Sequence, residues 1–294
     1  MAERELIHSI PVGYTIDGNR GIRDPRGMFG DRLGASMHVV TAASGAVRNL
    51  STVVERAHLD IDQLVVSPYA SGLATLVEDE IDLGVTLIDM GGGTTSLAVF
   101  FDGAVVHTDT VPVGGCHVTN DVARGLSTPL IEAERLKTLY GSAIASASDE
   151  RELIDVPLVG EDNRSQPNHV PKSYLNQIIQ PRLEETFELV RGQLEASGFD
   201  KLAGRRVVLT GGASQLQGVR ELAAAVLDKQ VRMGRPIRLQ GLAESTGGPA
   251  FATAAGLLAY AVAEITDRPG RMALRVPPSA GLFGRFGHWL RENF

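Results

Sequence analysis

Cysteine is scarce in this sequence, long apolar runs are absent, and basic residues are outnumbered by acidic ones. The single cysteine, Cys116, excludes an intramolecular disulfide and is typical of a reducing compartment. No apolar run reaches the ~18 residues from which a membrane-spanning helix is built. Lys and Arg number 28 against 35 Asp and Glu, which gives a net charge of −7. This balance argues against nucleic acid as a partner, because phosphate contacts need clustered cations.

The remaining composition is that of an ordinary globular protein, with charge unevenly distributed along the chain. A length of 294 residues, 43% of them hydrophobic, allows two lobes that each have a core. From Arg271 onward four arginines stand against one glutamate, a sum of +3, so residues 1–270 carry −10. A reversal of sign at one end of a chain indicates a segment with a separate role.

Hydrophobic periodicity predicts a chain that alternates strands with helices. The opening run LIHSIPVGYTIDG is expected to form several strands broken by its proline and glycine, and residues 18–34 a loop. A short buried strand is expected at 64–67, and Asp102-Gly103 between two apolar runs predicts a β-hairpin. Helical spacing covers residues 47–58, 119–126, 130–140, 172–197, 218–227 and 251–265.

A glycine-rich turn follows the strand predicted at residues 84–89. It reads Asp89-Met90-Gly91-Gly92-Gly93-Thr94-Thr95. Successive glycines let the backbone approach a phosphate so that amides converge on its oxygens, and the two threonines offer hydroxyl donors. Asp89 is a candidate to hold Mg²⁺ through water, because hard cations prefer oxygen ligands. A ligand-free turn between strands is the alternative.

A second predicted strand, at residues 205–209, also runs into glycines. The sequence Thr210-Gly211-Gly212-Ala213 precedes a predicted helix, and its glycine pair permits close approach of a flat purine or its ribose. Between the two turns, Glu134 and Lys137 share one helical face at i,i+3 and are candidates to reach the ribose and the adenine edge. A solvated surface ion pair is the alternative for these two residues.

The two turns, LIDMGGGTT and VVLTGGAS, begin 120 residues apart. Together they resemble the second phosphate loop and the adenosine loop of the actin, sugar-kinase and heat-shock-chaperone ATPase superfamily. The resemblance becomes more specific with the FtsA family of bacterial cell-division proteins, and it covers nearly the whole chain except the stretch near 145–170. The segments that carry it are HSIPVGYTIDG, GIRDPRGMFG, VVERAHLDIDQLVVSP, VLTGGASQLQGV and the closing FGHWLRENF.

The resemblance implies an α/β fold of the actin-like, ribonuclease H-like type with two lobes. In that arrangement a segment before residue 1 would carry the first phosphate loop, so the chain is expected to be N-terminally truncated and to lack half of the phosphate clamp. The implied parts are an inserted SHS2-like subdomain at 1–63, the remainder of the first lobe at 64–84 and 246–266, the second lobe at 85–245 with a peripheral helical subdomain at 121–204, a linker at 267–281 and an amphipathic helix at 282–294.

The last thirteen residues have the pattern of an amphipathic membrane-binding helix. Arginines meet anionic headgroups and tryptophan suits the headgroup boundary. A helix of that size is only ~20 Å long, so it can lie in the interface but cannot span a bilayer. The alternatives are a helix packed onto the globular body and a helix bound in a groove of a partner protein. The residues expected to bind the membrane are Leu282, Phe283, Arg285, Phe286, Trp289, Leu290 and Arg291.

The FtsA resemblance implies a cell-division scaffold with ATP and Mg²⁺ as cofactors. The scaffold would anchor filaments of the tubulin-like protein FtsZ to the cytoplasmic face of the inner membrane at the division site. It would also associate with itself in an ATP-dependent way and recruit later division proteins. Arg182 and Glu185 match positions that hold the C-terminal tail of FtsZ, although by sequence alone they are an i,i+3 ion pair. The alternatives are a sugar or acetate kinase and a pilus-assembly relative.

Three expectations concern reactive side chains. At most weak ATP hydrolysis is expected and no catalytic residue is assigned, because Ser67 and Ser71, the nearest polar candidates, are weak bases. Cys116 is expected to be a buried, unreactive thiol. His107 and His117 lack the spacing of metal ligands, so no histidine metal site is expected.

Overall fold

The computed structural model describes residues 3–160, 168–237 and 243–267, the last of these with side chains as far as residue 262. The predicted linker beyond residue 267 and the amphipathic segment 282–294 lie outside that part. The chain divides into two compact units, Met1–Ala259 and Tyr260–Phe294, and the sheets, cores and cavity described below belong to the first. Among the described residues, no helix has both the length and the apolar character needed to cross a membrane.

Groups of strands and groups of helices follow one another along the chain. The strands are β1 Arg4–Ile16, β2 Asn19–Ile22, β3 Leu33–Ala43, β4 Val85–Met90, β5 Thr95–Phe101, β6 Ala104–Val111, β7 Leu153–Val156, β8 Asn168–Pro171, β9 Arg206–Thr210 and β10 Gln230–Met233. The helices are α1 Ser44–Arg56, α2 Ser67–Thr75, α3 Glu78–Leu83, α4 Gly115–Gly125, α5 Leu130–Tyr140, α6 Lys172–Ser197, α7 Val219–Leu227 and α8 Ala252–Asp267.

A small antiparallel sheet with the order β2-β1-β3 precedes the main body. The prediction that the opening run LIHSIPVGYTIDG forms several strands is wrong, because β1 is one continuous strand from Arg4 to Ile16. Its pairing with β3 shifts register between Leu6 and His8 and again between Pro11 and Gly13. Such irregularities absorb a proline and a glycine without ending the strand. The predicted loop over 18–34 is also wrong in part, since it contains β2 and the start of β3.

The main sheet has five strands in the order β10-β9-β4-β5-β6. β9 pairs in parallel with both β10 and β4, whereas β5 and β6 continue from β4 in antiparallel fashion. The β5–β6 turn is the predicted hairpin, with φ of +52° at Asp102 and +84° at Gly103.

Successive residues of the central strands feed two cores on opposite faces of the main sheet. Leu97 and Val99 of β5 join the larger core with α4 to α7, and Ala98 and Phe100 join the smaller one beside α2 and α3. This alternation follows from the two-residue period of a strand whose faces are both covered.

The strand predicted at 64–67 is wrong. Residues 64–66 pair with no described strand, and Ser67 begins α2. Pro68 stands in the first turn of that helix, where its fixed φ suits a helix and its missing N–H removes no intrahelical bond. The apolar residues 64–66 therefore lead into a helix. Three residues are too few for hydrophobic periodicity to distinguish a strand from the approach to a helix.

Helix α8 crosses α2 at a glycine. A Cβ atom at Gly256 would lie far inside van der Waals contact of the Ala70 carbonyl oxygen. Gly72 on α2 similarly leaves room for the ring of Phe100. The backbones of α2 and α8 approach so closely because Gly256 carries no side chain, and Gly72 lets α2 pack closely on β5.

We expect Gly256→Ala to lower the free energy of unfolding by about 1–3 kcal/mol, because the added methyl group forces the helices apart. Urea denaturation followed by circular dichroism measures it. Gly192→Ala on α6 is the matched control. A Cβ there meets nothing within 4 Å, so alanine should stabilise the helix by about 0.5–1 kcal/mol. Equal effects of the two substitutions would contradict the close crossing.

Candidate functional site

The two glycine turns are neighbours because their strands are. β4 and β9 run parallel, with Asp89 opposite Thr210 in the register. The carboxyl ends of parallel strands meet at the same edge of a sheet, so the turns that follow them emerge side by side. Gly91 and Gly92 leave β4 there, and Gly212 begins a short 3-10 helix after β9.

A cavity of about 490 Å³ opens between these turns and the helices α4, α5 and α6. It brings together six of the residues predicted for cofactor binding: Gly91, Gly92, Glu134, Lys137, Gly212 and Ala213. Five others, Asp89, Gly93, Thr94, Thr95 and Gly211, do not line it. The remaining lining residues are Gly115, Cys116, Val118, Thr138, Leu183, Gln215 and Leu216.

The glycine positions of the two turns differ in whether the fold itself requires glycine. A Cβ at Gly93 would meet nothing within 4 Å, and at Gly212 only the Cβ of Ala250 at 3.9 Å. Internal packing therefore leaves space at both positions. Gly211 is required by the fold itself, because its φ is +90° and a side chain would overlap the Asp89 carboxylate.

Asp89 is held by two hydroxyls behind the first turn. Its Oδ2 accepts hydrogen bonds from Ser71 Oγ at 2.6 Å and Thr253 Oγ1 at 2.9 Å, and the two hydroxyls are themselves 2.9 Å apart. Asp89 as a whole residue is only 7% exposed. Ser71, considered above as a weak candidate for orienting water, instead donates its proton to this carboxylate.

The first turn is fastened to the start of α4. The amides of Gly115 and Cys116 donate to the carbonyls of Gly91 at 3.0 Å and Gly92 at 2.8 Å. Thr95 is fully buried, and its hydroxyl donates to the carbonyl of Val113 at 2.8 Å. The first amides of α4 therefore hold the turn in place, and the Thr95 hydroxyl points to the backbone of the next segment.

Glu134 and Lys137 form more than an ion pair. Lys137 Nζ donates to Glu134 Oε2 at 2.7 Å, to Thr119 Oγ1 at 2.8 Å and to the Gly115 carbonyl at 3.2 Å. The Thr119 hydroxyl also hydrogen-bonds Glu134 Oε2. Burial opposes ionisation of Glu134, but the bonds from Lys137 and Thr119 outweigh it, so its pKa lies below the ordinary value.

Cys116 corrects the expectation of a buried thiol: it is exposed and lines the cavity. It occupies the second position of α4, and the close approach of Gly114 to the carbonyls of Gly91 and Gly92 brings it there. In the sequence, the signal for this close approach was the adjacent pair Gly114-Gly115 at the start of α4. Val118, Leu183 and Leu216, the apolar part of the wall, carry no such signal.

Arg182 and Glu185 lie outside the cavity lining. The expected i,i+3 pair is present, and Arg182 also binds Asp121 of α4, with Nε 2.5 Å from Oδ2 and Nη2 3.3 Å from Oδ1. The guanidinium thus joins α6 to α4 by a bidentate contact, which the sequence spacing does not reveal.

In the described ranges no cluster of three His, Cys, Asp or Glu side chains has the arrangement of a metal site. A cation held through water needs only one oriented carboxylate and further oxygen atoms. Asp89 with the hydroxyls of Ser71 and Thr253 is an oxygen-only group beside the turn. This chemistry fits Mg²⁺ bound through water better than it fits a direct metal ligand set.

Residues 86–256 match the family model described as cell division protein FtsA, and residues 1–41 match the SHS2 domain inserted in FtsA. The first match alone covers more than half of the chain. The chain belongs to the FtsA family. Of the three families that the sequence left as alternatives, this match selects FtsA over the sugar or acetate kinases and the pilus-assembly relatives.

The cell division protein FtsA of Rhizobium meliloti (strain 1021) is 51% identical over 99% of this chain and 66% of its own length. The chain therefore spans about two thirds of that FtsA relative.

Two solved structures share the fold at low sequence identity. MreB5 of Spiroplasma citri bound to ADP has a TM-score of 0.60 and 15% identity, covering 78% of this chain and 69% of that one. The PilM-PilN type IV pilus biogenesis complex has a TM-score of 0.58 and 20% identity, covering 89% and 66%. These likenesses confirm the actin-like α/β fold expected from the FtsA resemblance.

The position of Cys116 predicts a reactive thiol in the native protein. Ellman's reagent should modify it within about tenfold of the rate seen after denaturation, because no unfolding is needed for access. The readout is unambiguous, since the chain has one cysteine. A thiol that reacts only after urea is added would show that the cavity is closed at this wall.

Proposed function

We propose that this chain is the nucleotide-binding body of a cell-division scaffold, and that ATP binds between its two glycine turns. One observation carries the proposal: turns 120 residues apart and the Glu134–Lys137 pair line a single cavity. Its volume lies within the range of roughly 300–1,000 Å³ that is typical of small-molecule sites. The MreB5 neighbour, solved with ADP, supports a nucleotide as the ligand.

The two turns, Glu134 and Asp89 would each bind a different part of the nucleotide complex. The turn at Gly91–Gly93, with Thr94 and Thr95 completing it, would receive the phosphates, because a backbone without side chains permits close approach. The Glu134 carboxylate would face the ribose, and Gly211–Ala213 with the apolar wall would accept the flat base. Asp89 would hold Mg²⁺ through water. ATP would contribute a polyphosphate and a purine whose binding favours one conformation of the chain.

Membership in the FtsA family supports a larger role for the chain in cell division. The chain would link FtsZ filaments to the cytoplasmic face of the inner membrane, with Arg182 and Glu185 contacting the FtsZ tail. Self-association, favoured by ATP, would give many copies of one weak membrane anchor, and avidity would make the attachment stable. Later division proteins would be recruited to this array. Hydrolysis would be slow at most, because the Ser71 hydroxyl already donates to Asp89.

Adding a side chain at an open glycine of each turn tests ATP binding. Gly212→Val and Gly93→Val place a branched side chain where the protein offers almost no contact, so both variants should fold. We expect each to weaken ATP binding at least about tenfold, equivalent to about 1.4 kcal/mol. Isothermal titration calorimetry gives the dissociation constant, and protection of Cys116 from Ellman's reagent by ATP gives an independent measure.

Gly192→Val on α6 is the control for a valine placed in open space elsewhere. It should leave both ATP affinity and Cys116 protection unchanged. Circular dichroism confirms that all three variants are folded. Wild-type affinity in both Gly93→Val and Gly212→Val would show that ATP, if bound, lies elsewhere.

Flotation with vesicles tests the membrane anchor. The full chain should float with vesicles containing anionic lipid and should carry FtsZ filaments with it. Arg285→Ala combined with Arg291→Ala should weaken partition roughly 30-fold, because each arginine contributes about 1 kcal/mol near an anionic surface. High salt should reduce binding in the same direction.

Deletion of residues 282–294 is the stronger variant. Arg271→Ala with Arg275→Ala is the charge-matched control for the variant that combines Arg285→Ala with Arg291→Ala. The control removes two positive charges from the same end of the chain but leaves the amphipathic segment intact. Equal flotation of the full and shortened chains would exclude the segment as the anchor.

A further inference from the structure

Three histidines from three strands lie close together where the small sheet packs against the edge strand of the main sheet. His8 is on β1, His38 on β3 and His107 on β6, and both β1 and β3 contact β6. We call this contact the joint. Apolar residues of β1 complete it, with Ile10 packed against the smaller core and Val12 against the larger. The joint therefore holds three titratable rings within a largely apolar contact.

The ring of His8 is neutral in this arrangement. Its Nε2 accepts a hydrogen bond from the backbone N–H of Val66 at 3.1 Å, and the residue is only 6% exposed. A protonated imidazole carries a hydrogen on both ring nitrogens and accepts no hydrogen bond. Protonation of His8 would therefore set two donors against each other, beside the ring of Tyr69 at a centroid distance of 5.5 Å.

His38 and His107 are also poorly placed to carry a charge. His38 Nε2 lies 3.2 Å from the hydroxyl oxygen of Thr108, a neutral partner. His107 stacks on the ring of Phe199, and its buried Nε2 has no hydrogen-bond partner among the described residues. The Asp109 carboxylate is 4.0 Å from that nitrogen, too far for a hydrogen bond. A charge on either ring would be incompletely compensated, which is costly in an apolar contact.

Few charged side chains face these rings. Neither β3 nor α2 carries one, residues 64–66 are wholly apolar, and α6 presents the uncharged Gln193 to β6. On β1 the nearest charged residue is Glu5, three positions before His8. Other charged groups around the joint are bound to partners: Arg4 to Thr41, Arg23 to Asp82 and Asp102, Arg191 to the Val226 carbonyl and Asp200 to Lys229.

The surroundings make all three rings weaker bases. Burial lowers the pKa of His8, His38 and His107 below the ordinary value of 6.5. The two neighbouring rings lower the pKa of His38 further, because like charges repel, and Asp109 only partly offsets burial at His107. The closed joint thus binds protons less readily than an opened one. The stability that neutral rings contribute is present above pH 6.5 and is lost as the pH falls through that value.

We propose that His8, His38 and His107 make the joint acid-sensitive, so that the small sheet opens away from β6 when these rings become protonated. The small sheet lies mostly within the region that matches the SHS2 domain inserted in FtsA. Acidification would therefore free this domain from the main sheet without unfolding the main sheet. The inference depends on neither the proposed nucleotide site nor the membrane anchor, and it stands or falls separately from them.

Hydrogen exchange of the full chain, measured by mass spectrometry at pH 7.5 and pH 5.5, tests the joint. After correction for the intrinsic pH dependence of amide exchange, loss of protection in β1 and β3 reports opening. Each ring that stays neutral while closed but has its ordinary pKa when open raises the opening constant about tenfold over this interval. We expect at least that increase for β1 and β3, and no comparable change for β9 of the main sheet.

A variant whose joint cannot take up protons is the decisive comparison. It combines His8→Gln, whose amide oxygen can still accept the Val66 hydrogen bond, with His38→Gln and with His107→Phe, which keeps the ring stack. We expect the pH response of β1 and β3 to fall below about threefold in this variant. The control is His169→Gln, which removes an exposed histidine of β8 and should keep the full response.

The single variants His8→Gln and His107→Phe keep the test decisive if the combined variant does not fold, because each should show a smaller pH response than the wild type. Equal protection of β1 and β3 at the two pH values in the wild type would overturn the inference. A full response that persists in the combined variant, or in both single variants, would overturn it as well. Protection lost equally in β9 would show global acid unfolding instead of an opening joint.

Discussion

The Asp89 carboxylate is the contact on which the rest of the site depends. It stands at the end of β4 and accepts hydroxyl protons from Ser71 of α2 and Thr253 of α8. Those helices reach it because Gly256, three residues after Thr253, lets α8 approach Ala70, the neighbour of Ser71. Hydrogen bonds to a charged group contribute about 1.5–3 kcal/mol each, and a buried carboxylate without them would be strongly unfavourable. One close helix crossing therefore fixes where β4 ends and where the first glycine turn begins.

The same carboxylate constrains the second turn. Gly211 follows β9 with a φ of +90°, and a side chain there would overlap Asp89. The parallel pairing of β4 and β9 sets the two turns side by side, and Asp89 sets how closely they approach. The opposite wall is held differently. The start of α4 binds the first turn through backbone amides, and Thr119, one helical turn later, binds the α5 pair. Helix α4 is thus the element that contacts both the first glycine turn and the Glu134–Lys137 pair.

The sequence predicts what depends on local pattern and misses what depends on tertiary contacts. Helices at 130–140 and 172–197 and the Asp102-Gly103 hairpin are found as predicted, because long periodic segments and tight turns are locally encoded. The proximity of the two glycine turns was predictable, because each turn directly follows a predicted strand. The commitment of Lys137 to three protein acceptors and the internal role of Gly211 were not. Each of these depends on a residue 18 or more positions away, which no short-range pattern records.

A ligand in this cavity would act on more of the fold than it touches. It would contact turns that are tied to Asp89, and Asp89 is tied to α2 and α8 on the other side of the sheet edge. Saturation at a hundred times the dissociation constant stabilises the bound state by about 2.7 kcal/mol, the same order as one charge-assisted hydrogen bond. Binding energy of that size is enough to favour one arrangement of these helices without any bond being broken in the nucleotide. A nucleotide bound as proposed would therefore act by occupying the cavity, without any need for hydrolysis.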